Sequence, residues 1–302
     1  MDEKIQGWIN LYKPKRISSF LAINKIKKKF NLKKIGHAGT LDPSAEGILP
    51  VAINKTTKLI SYVTSDFKKY FFTVKWGELT STDDSDGEIL KKSKVIPSKK
   101  QIEKVMYSFL GYTNQVPPKA SAIKINGKRA YAIFRENKSF DLKPREVLLK
   151  SIKLLNLDID ETNFEIECGK GFYVRSLARD LAYKLGTYGH VVDLKRIKVG
   201  NFDENTSILL DDLLKIGQSD FEFNCVHSSI SLLDDILAYE IDEKNDLESL
   251  SLGKPIFLKN KKIIKNTLNS DKKELVFLSN KGNIISFGKL INDLFKPKKV
   301  LI

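Results

Sequence analysis

One short segment of this 302-residue sequence combines residues that can do chemistry with residues that shape a loop. Residues 36–49 read GHAGTLDPSAEGIL, with three glycines, one proline, one histidine and one aspartate. Glycine permits positive φ and close approach of a ligand, and Pro43 favours an extended conformation at Asp42. An aspartate in such a loop can act as a nucleophile, a general base, a metal ligand or a turn-former. The residue types alone leave these roles open and favour the turn-former.

Regular elements are predicted on both sides of this loop. A helix is expected from Ser18-Ser19 onward, with apolar residues at helical spacing at Phe20, Ile23, Ile26 and Phe30. A half-buried strand is expected over residues 69–77, with one face formed by Tyr70, Phe72, Val74 and Trp76. A second strand, containing Phe164, Ile166 and Cys168, precedes a helix lined by Leu177, Leu181 and Leu185 that ends at Gly186.

Other signals mark a helix, a hairpin and a change of composition near the end of the chain. Ser98 and Gln101 have capping-box spacing before a helix expected to end near Gly111, and Asn126-Gly127 predicts a tight hairpin. Short strands are expected over residues 255–258, 274–279 and 283–287. The predicted fold is therefore α+β: a mixed or antiparallel sheet flanked by helices over residues 1–240, plus a small β-rich module over residues 241–302.

The charge balance favours a polyanionic partner. The sequence contains 52 Lys and Arg and 37 Asp and Glu, which gives a net charge of +15 and a pI near 9.5. Lys and Arg set against phosphates release counterions, so nucleic acid is one interpretation. A Lys-rich codon bias in a structural or interaction protein is the other, and the charge alone does not separate them.

Several classes of protein are not supported by the composition. The first residues contain no basic stretch followed by an apolar run, and no apolar stretch reaches the roughly 18 residues of a membrane span. Cys168 and Cys225, with three histidines, provide neither a disulfide framework nor zinc spacing. A hydrophobic fraction of 41% argues against wholesale disorder. We therefore expect a cytoplasmic protein without a membrane partner.

An acidic run at residues 82–87, TDDSDG, invites a calcium interpretation. With Gly87 at position six of an EF-hand loop, Thr82 would fall at position one and Ser93 at position twelve. Both positions require carboxylates, so we expect no metal site here.

The loop around Asp42 resembles the catalytic motif of the tRNA pseudouridine synthases of the TruB type, G-H-x-G-x-L-D-P-x-A-x-G-x-L, and every specified position matches. The likeness extends over most of the chain. It includes Lys13-Pro14, Ser18-Ser19, residues 66–70, 77–87, 116–118 and 121–124, Pro144-Arg145 and residues 168–177. One departure lies at residues 54–58, NKTTK, where the family has G-x-A-T-K. This departure bears on local loop geometry rather than on the chemistry.

The resemblance implies a reaction and the residues that perform it. The reaction would be isomerisation of uridine to pseudouridine at T-loop position 55 of tRNA, on a base flipped out of its stack, without a cofactor. Neither a G-x-G-x-x-G nor a P-loop pattern is present, which agrees with the absence of a nucleotide cofactor. Asp42 would be the nucleophile, attacking either the uracil ring or C1′. Arg175 would pair with Asp42 and orient it.

The family further implies a set of residues around the target base. Tyr70 would stack on the uracil, and its hydroxyl could help to move the C5 proton. Tyr173 and Leu194 would contact the base, and His37 would contact the RNA at the place where the base leaves the stack. Asp84 would order its loop. Judged by pattern alone, core packing is the better interpretation of Tyr70 and Leu194, and a surface or phosphate-contacting role is the better interpretation of Arg175.

The family also implies how the chain is organised and what it binds. Residues 1–240 would form the catalytic domain, with an RNA-contacting insertion at about 112–148, and residues 241–302 a PUA-like RNA-binding module. The partner would be the T-arm and elbow of tRNA, without a guide RNA or protein partner, and we expect a monomer. The alternatives are a non-catalytic protein that binds or folds tRNA, and a synthase that acts on another RNA.

Overall fold

The computed structural model describes residues 5–63, 67–232, 237–265 and 275–302. Asp66, in one of the segments that resembles the family, lies outside the described residues, as does Glu274, the expected start of a C-terminal strand. None of the helices in these ranges is both long and apolar enough to cross a bilayer.

Fourteen strands precede residue 210 in the described part of the chain. In chain order they are β1 (Gly7–Lys13), β2 (Ile35–His37), β3 (Glu46–Ile53), β4 (Lys68–Trp76), β5 (Glu78–Thr80), β6 (Ile89–Lys92), β7 (Gly111–Gln115), β8 (Lys124–Ile125), β9 (Lys128–Arg129), β10 (Arg145–Leu157), β11 (Glu161–Cys168), β12 (Gly189–Val199), β13 (Phe202–Asp203) and β14 (Ile208–Leu209). The main sheet has the order β14-β1-β3-β12-β4-β11-β10-β7, with β2 on β3 and β13 on β12. Only β1–β14 and β3–β12 are parallel pairs among them, so the sheet is mixed.

Helices flank this sheet. They are α1 (Ser19–Lys29), α2 (Ile60–Val63), α3 (Lys99–Met106), α4 (Ala130–Arg135), α5 (Val174–Lys184), α6 (Leu210–Lys215) and α7 (Gln218–Asp220), with 3₁₀ turns at Asn54–Leu59, Tyr107–Phe109 and Glu204–Thr206 and a π-helical turn at Phe221–Cys225. A further helix, α8 (Lys244–Ser251), packs against strands near the end of the chain. The mixed sheet flanked by helices confirms the predicted α+β class.

Most of the local patterns produce the elements they predict. Tyr70, Phe72, Val74 and Trp76 alternate inward along β4. Ser18 caps α1 by accepting from the Leu21 amide, and the Gln101 side chain accepts from the Ser98 amide at 2.8 Å. Asn126 and Gly127 both have positive φ between β8 and β9, as a tight hairpin turn requires.

Two local expectations are wrong. Phe20, expected on the buried face of α1, is 65% exposed. The face that is buried contains Ser19, Ala22, Ile23 and Ile26. Phe20 lies outside it, because each residue of a helix is rotated by about 100° from the one before it. The helix that begins after Ser98 ends at Met106 and continues as a short 3₁₀ turn, so Gly111 opens β7 instead of capping the helix.

A second, six-stranded sheet follows. Its strands are β15 (Leu237–Glu240), β16 (Ile256–Phe257), β17 (Ile263–Lys265), β18 (Leu275–Asn280), β19 (Asn283–Ile291) and β20 (Leu294–Val300), in the order β16-β20-β19-β18-β15-β17. It shares a buried cluster with the main sheet, in which Trp8 and Ile48 belong with Phe277 and Phe287. Since β15 begins before residue 241, the second sheet starts slightly earlier than the expected module. The division at residue 240 stays a prediction.

The departure at residues 54–58 has a local explanation. Asn54 has φ +48, a left-handed conformation that asparagine tolerates better than most residues and that glycine adopts freely. Its side chain donates to Ile5 O at 2.8 Å and accepts from the Lys34 amide at 3.2 Å. The position where the family has glycine is thus occupied by a residue that tolerates this left-handed conformation.

Candidate active site

The loop that carries Asp42, residues 38–45, connects β2 to β3 and is held at both sides of the aspartate. The Ser19 hydroxyl accepts from the Leu41 amide at 2.9 Å and donates to the Leu41 carbonyl at 2.8 Å. On the other side, Lys13 Nζ donates to Ala45 O at 2.6 Å. The backbone on either side of Asp42 is therefore fixed by groups from β1 and α1.

Lys13 is fully buried and binds three main-chain carbonyls. Besides Ala45 O, its ammonium donates to Pro14 O at 2.8 Å and Ile17 O at 2.9 Å. An ammonium has three protons, so this set uses all of them. Burial lowers the pKa of Lys13 to about 8, which still leaves the group protonated at neutral pH. The lysine thus ties the Asp42 loop to the turn between β1 and α1.

Gly47 marks a second close contact behind the loop. Its φ is +110, and a Cβ added there would lie 2.2 Å from the main-chain oxygen of Arg196 on β12. No side chain fits at that distance, so glycine is required where β3 begins its pairing with β12.

Arg175 joins two carboxylates in one site. On the first turn of α5, its Nη2 lies 2.8 Å from Asp42 Oδ2 and its Nη1 lies 3.0 Å from Asp84 Oδ2. The same guanidinium donates to Thr82 O at 3.0 Å and Ala120 O at 3.1 Å. Its side chain is only 5% exposed, whereas that of Asp42 is 35% exposed. The arrangement leaves Asp42 oriented from behind and open to a ligand in front.

Asp84 belongs to the acidic run of residues 82–87. Its carboxylate also accepts from the Thr82 hydroxyl and from the Asp86 amide, the latter at 3.1 Å. Burial raises the pKa of Asp84, and the Arg175 charge acts in the opposite direction. A bridge to Val191 fixes the run against β12. The described residues contain no cluster of three His, Cys, Asp or Glu side chains able to hold a metal.

The cleft in front of Arg175 brings Leu194 together with both carboxylates. Its lining is Asp42, Ser44, Asp84, Ser85, Arg175, Val191, Val192, Asp193 and Leu194. Tyr70 and Tyr173 are close enough to Asp42 for its charge to act on their hydroxyls. Burial is the main cause that raises the pKa of each hydroxyl, and the Asp42 charge raises it further. The Tyr173 amide is fixed by the Gln115 side chain at 2.9 Å. Five of the expected residues, Asp42, Asp84, Arg175, Tyr70 and Tyr173, therefore interact electrostatically around one cleft that Leu194 lines.

His37, like Tyr70 and Tyr173, is not among the residues that line the cleft, and its pKa, in contrast to those of the two tyrosines, is not affected by the Asp42 charge. It lies at the end of β2, and its Nδ1 is buried without a hydrogen-bond partner among the described residues. Burial, with a smaller contribution from Arg196, lowers the pKa of His37 to about 4. The imidazole is therefore neutral at physiological pH.

The depressed pKa of His37 predicts an acid-sensitive contribution to stability. The unfolded chain takes up the proton near pH 6.5 and the folded protein only near pH 4, so the contribution is complete above 6.5 and is lost as the pH falls towards 4. Between these limits the unfolding free energy of wild type should fall by about 3 kcal/mol more than that of His37→Gln. Urea denaturation at several pH values measures this difference. Parallel stability curves for the two proteins would contradict it.

Three residues that structure the site were not predicted to have a role. Lys13 and Ser19 lie in segments that resemble the family, but nothing in the sequence shows that they hold the Asp42 loop. Arg196 is 1% exposed and touches the same loop, although its type and position suggest an exposed cation on a strand. The sequence carries no signal for this role, because the same strand segment contains other charged residues, Asp193, Lys195 and Lys198.

Family models cover most of the first 240 residues. Residues 27–174 match the model described as TruB family pseudouridylate synthase (N terminal domain), and residues 175–238 match the tRNA pseudouridylate synthase B C-terminal domain. These matches define the class of protein as a pseudouridine synthase, an isomerase.

Curated relatives extend the likeness to the whole chain. A tRNA pseudouridine synthase B from Ehrlichia canis (strain Jake) is 38% identical over 303 residues, covering 97% of this chain and 97% of its own. The protein of that name from Brucella anthropi is also 38% identical, covering 98% of this chain and 95% of its own. The chain belongs to the TruB family, as its sequence motif predicts.

Solved structures share the fold at lower identity. A chain from a Cbf5–Nop10–Gar1 complex aligns with a TM-score of 0.74 and 22% identity, over 98% of this chain and 85% of the other. A chain from an H/ACA ribonucleoprotein bound to a substrate RNA containing 2′-deoxyuridine gives 0.73 and 21%, over 98% and 85%. These neighbours support the fold and carry no residue roles.

Proposed function

We propose that this enzyme converts uridine to pseudouridine at T-loop position 55 of tRNA, with Asp42 as the nucleophile. The observation that carries the proposal is the Asp42–Arg175 ion pair at 2.8 Å, located in the family's motif and open to a ligand on one side. Relatives that span 97% of the chain are named for tRNA pseudouridine synthase activity. A tRNA substrate also implies a cytoplasmic location.

Each site residue has a task in this proposal. Arg175 presents one Asp42 oxygen to the base or to C1′ and holds Asp84 as the support of the acidic run. Leu194 forms the apolar wall of the cleft, and the rings of Tyr70 and Tyr173 stack against the flipped uracil. His37, neutral and outside the cleft, contacts the RNA where the base has left the stack.

The proposed enzyme works alone, as a monomer, without a guide RNA or a protein partner. The relatives with full-length similarity are named tRNA pseudouridine synthase B, whereas the chain from the Cbf5–Nop10–Gar1 complex is only 22% identical. The insertion at about 112–148 and the C-terminal sheet would contact the tRNA outside the T-loop. Both contain exposed lysines or arginines, among them Lys128, Arg129 and Lys296.

The position is tested with unmodified tRNA transcripts. Pseudouridine should form at position 55 of the native transcript, and mapping by a pseudouridine-specific chemical adduct should find it there alone. A transcript with cytidine at position 55 should remain unmodified, and a matched transcript with another T-loop uridine changed to cytidine should react normally. Modification of the position-55 variant, or of an unrelated RNA in preference to tRNA, would reject the proposed specificity.

Binding of tRNA should weaken steeply with salt. The chain has a net charge of +15, and contacts to phosphates release counterions. The dissociation constant should rise at least about tenfold between about 50 and about 200 mM monovalent salt. Filter binding of unmodified tRNA at several salt concentrations measures the slope. A dissociation constant independent of salt would contradict the electrostatic account.

A further inference from the structure

Arg196 lies directly behind the proposed active site. It follows Leu194 by two residues on β12, so both side chains point to the same side of the strand. Across the sheet it is paired with Tyr70 on β4 and with Gly47 on β3. Arg196 is 1% exposed, and its position between these two strands leaves it no route to solvent or to an RNA phosphate.

The guanidinium of Arg196 contacts both ends of the segment that carries Asp42. Its Nε donates to Ile48 O at 2.7 Å, and its Nη2 donates to Gly39 O at 3.0 Å. Tyr70 is the directly paired neighbour of Arg196 on β4, and the Arg196 charge acts on the Tyr70 hydroxyl. In the described part of the chain the guanidinium thus donates to two carbonyls rather than to a carboxylate. A buried cation without an ion pair is costly and needs a reason.

The chemistry of these groups fixes the direction of any hydrogen bond between the paired residues Arg196 and Tyr70. A guanidinium has five N–H donors and no acceptor, so in such a bond the phenol oxygen accepts and its own proton points away from Arg196. Burial raises the pKa of Tyr70; Cys168 on β11 and Asp42 in its loop raise it further, while Arg196 acts in the opposite direction. Arg196 is thus the group that makes negative charge on the Tyr70 oxygen less costly.

We propose that Arg196 is a positioning residue of the reaction, which fixes the Tyr70 hydroxyl relative to the Asp42 loop so that the phenol oxygen can take the proton from C5. This inference rests on the proposed function. It assigns Arg196 an effect on one step, the loss of the C5 proton, through Tyr70.

Every bond and proton in the loss of the C5 proton can be accounted for. Once C5 is bonded to C1′, the C5–H bond breaks and its electron pair forms the C5–C6 double bond. The π pair of the C6–N1 bond moves to N1, which takes up a proton. The C5 proton goes to the Tyr70 oxygen as the hydroxyl's own proton passes on to water, so no net charge accumulates on the tyrosine.

A kinetic isotope effect separates positioning from general damage. Arg196→Lys, with the charge kept and the fork of donors lost, should slow single-turnover pseudouridine formation about 10²-fold. The isotope effect is the ratio of the rate with unlabelled tRNA to the rate with tRNA that carries deuterium at uracil C5. This ratio should be larger for Arg196→Lys than for wild type, because loss of the C5 proton becomes the slow step. Lys195→Gln, which removes the neighbouring cation on β12, should leave both quantities within about twofold of wild type. A slower Arg196→Lys with an unchanged isotope effect would overturn the proposal.

A second measurement needs no RNA and no activity. In protein labelled with 3-fluorotyrosine, the fluorine resonance of position 70 is identified by its absence from Tyr70→Phe. The pKa of the Tyr70 hydroxyl, followed through this resonance, should be higher in Arg196→Met than in wild type. The resonances of the nine other tyrosines show whether the fold of the variant is intact. An identical pKa in both proteins would overturn the inference. If wild type forms no pseudouridine in tRNA, the proposed function fails, and this titration still decides whether Arg196 acts on Tyr70.

Discussion

Asp42→Asn is expected to lower the single-turnover rate of pseudouridine formation by at least about 10³-fold. The amide has nearly the same shape as the carboxylate but is a poor nucleophile. Arg175 keeps its contacts to Asp84, Thr82 O and Ala120 O, so the site should retain its structure. The rate is measured with enzyme in excess over tRNA, and binding of the same tRNA is measured in parallel.

Asp86→Asn is the matched control for that variant. Asp86 is an exposed carboxylate of the acidic run, and only its main-chain amide contacts Asp84. Its substitution should change the rate by less than about twofold, as expected for an exposed surface residue. Asp42→Asn should bind tRNA within about threefold of wild type, because phosphate contacts supply most of the affinity. A rate for Asp42→Asn above a tenth of wild type would remove Asp42 from the chemistry.

Arg175→Met is expected to have the second large effect, on stability as well as activity. Removal of the guanidinium leaves the carboxylate of Asp84, 9% exposed, facing Asp42 without a cation. Breaking a buried pair by removing one partner typically costs about 3–5 kcal/mol, and we expect a loss in unfolding free energy of this size at pH 7. Urea denaturation measures it. Arg145→Met, at an exposed arginine, should cost less than about 0.5 kcal/mol.

The cause of this loss can be separated from the loss of side-chain packing. Burial already raises the pKa of Asp84, and without Arg175 it rises further, so the carboxyl of the variant takes up a proton more readily. The deficit of Arg175→Met should therefore shrink as the pH falls from 7, and Asp84→Asn should recover part of it at neutral pH. A deficit independent of pH and unaffected by Asp84→Asn would show that packing, rather than the unpaired charge, is lost.

Short-range patterns in the sequence predict the elements that frame the site. The alternation along residues 70–76 gives β4, the Ser18 cap gives the start of α1, and Gly186, with φ +71, follows the end of α5. Each of these signals depends on residues within one or two turns of one another. The exposure of Phe20 shows the limit of the method, because helical spacing is compatible with more than one buried face.

The candidate site depended on the family motif rather than on pattern. Spacing alone could not join Asp42 to Arg175, since they are brought together only by the packing of α5 against the Asp42 loop. The same holds for Arg196 and Ile48, which are separated by 148 positions and meet because β3 and β12 are adjacent and parallel. Contacts of this kind are set by sheet order, which the local sequence does not encode.

The central claim is that the Asp42 carboxylate converts uridine in tRNA to pseudouridine. Its most direct test is the release of tritium from C5 of uracil in unmodified tRNA, with wild type and Asp42→Asn compared at the same concentrations. Wild type should release the label of one uridine per tRNA, and Asp42→Asn should release none. Release by both proteins to the same extent, or by neither, would contradict the account.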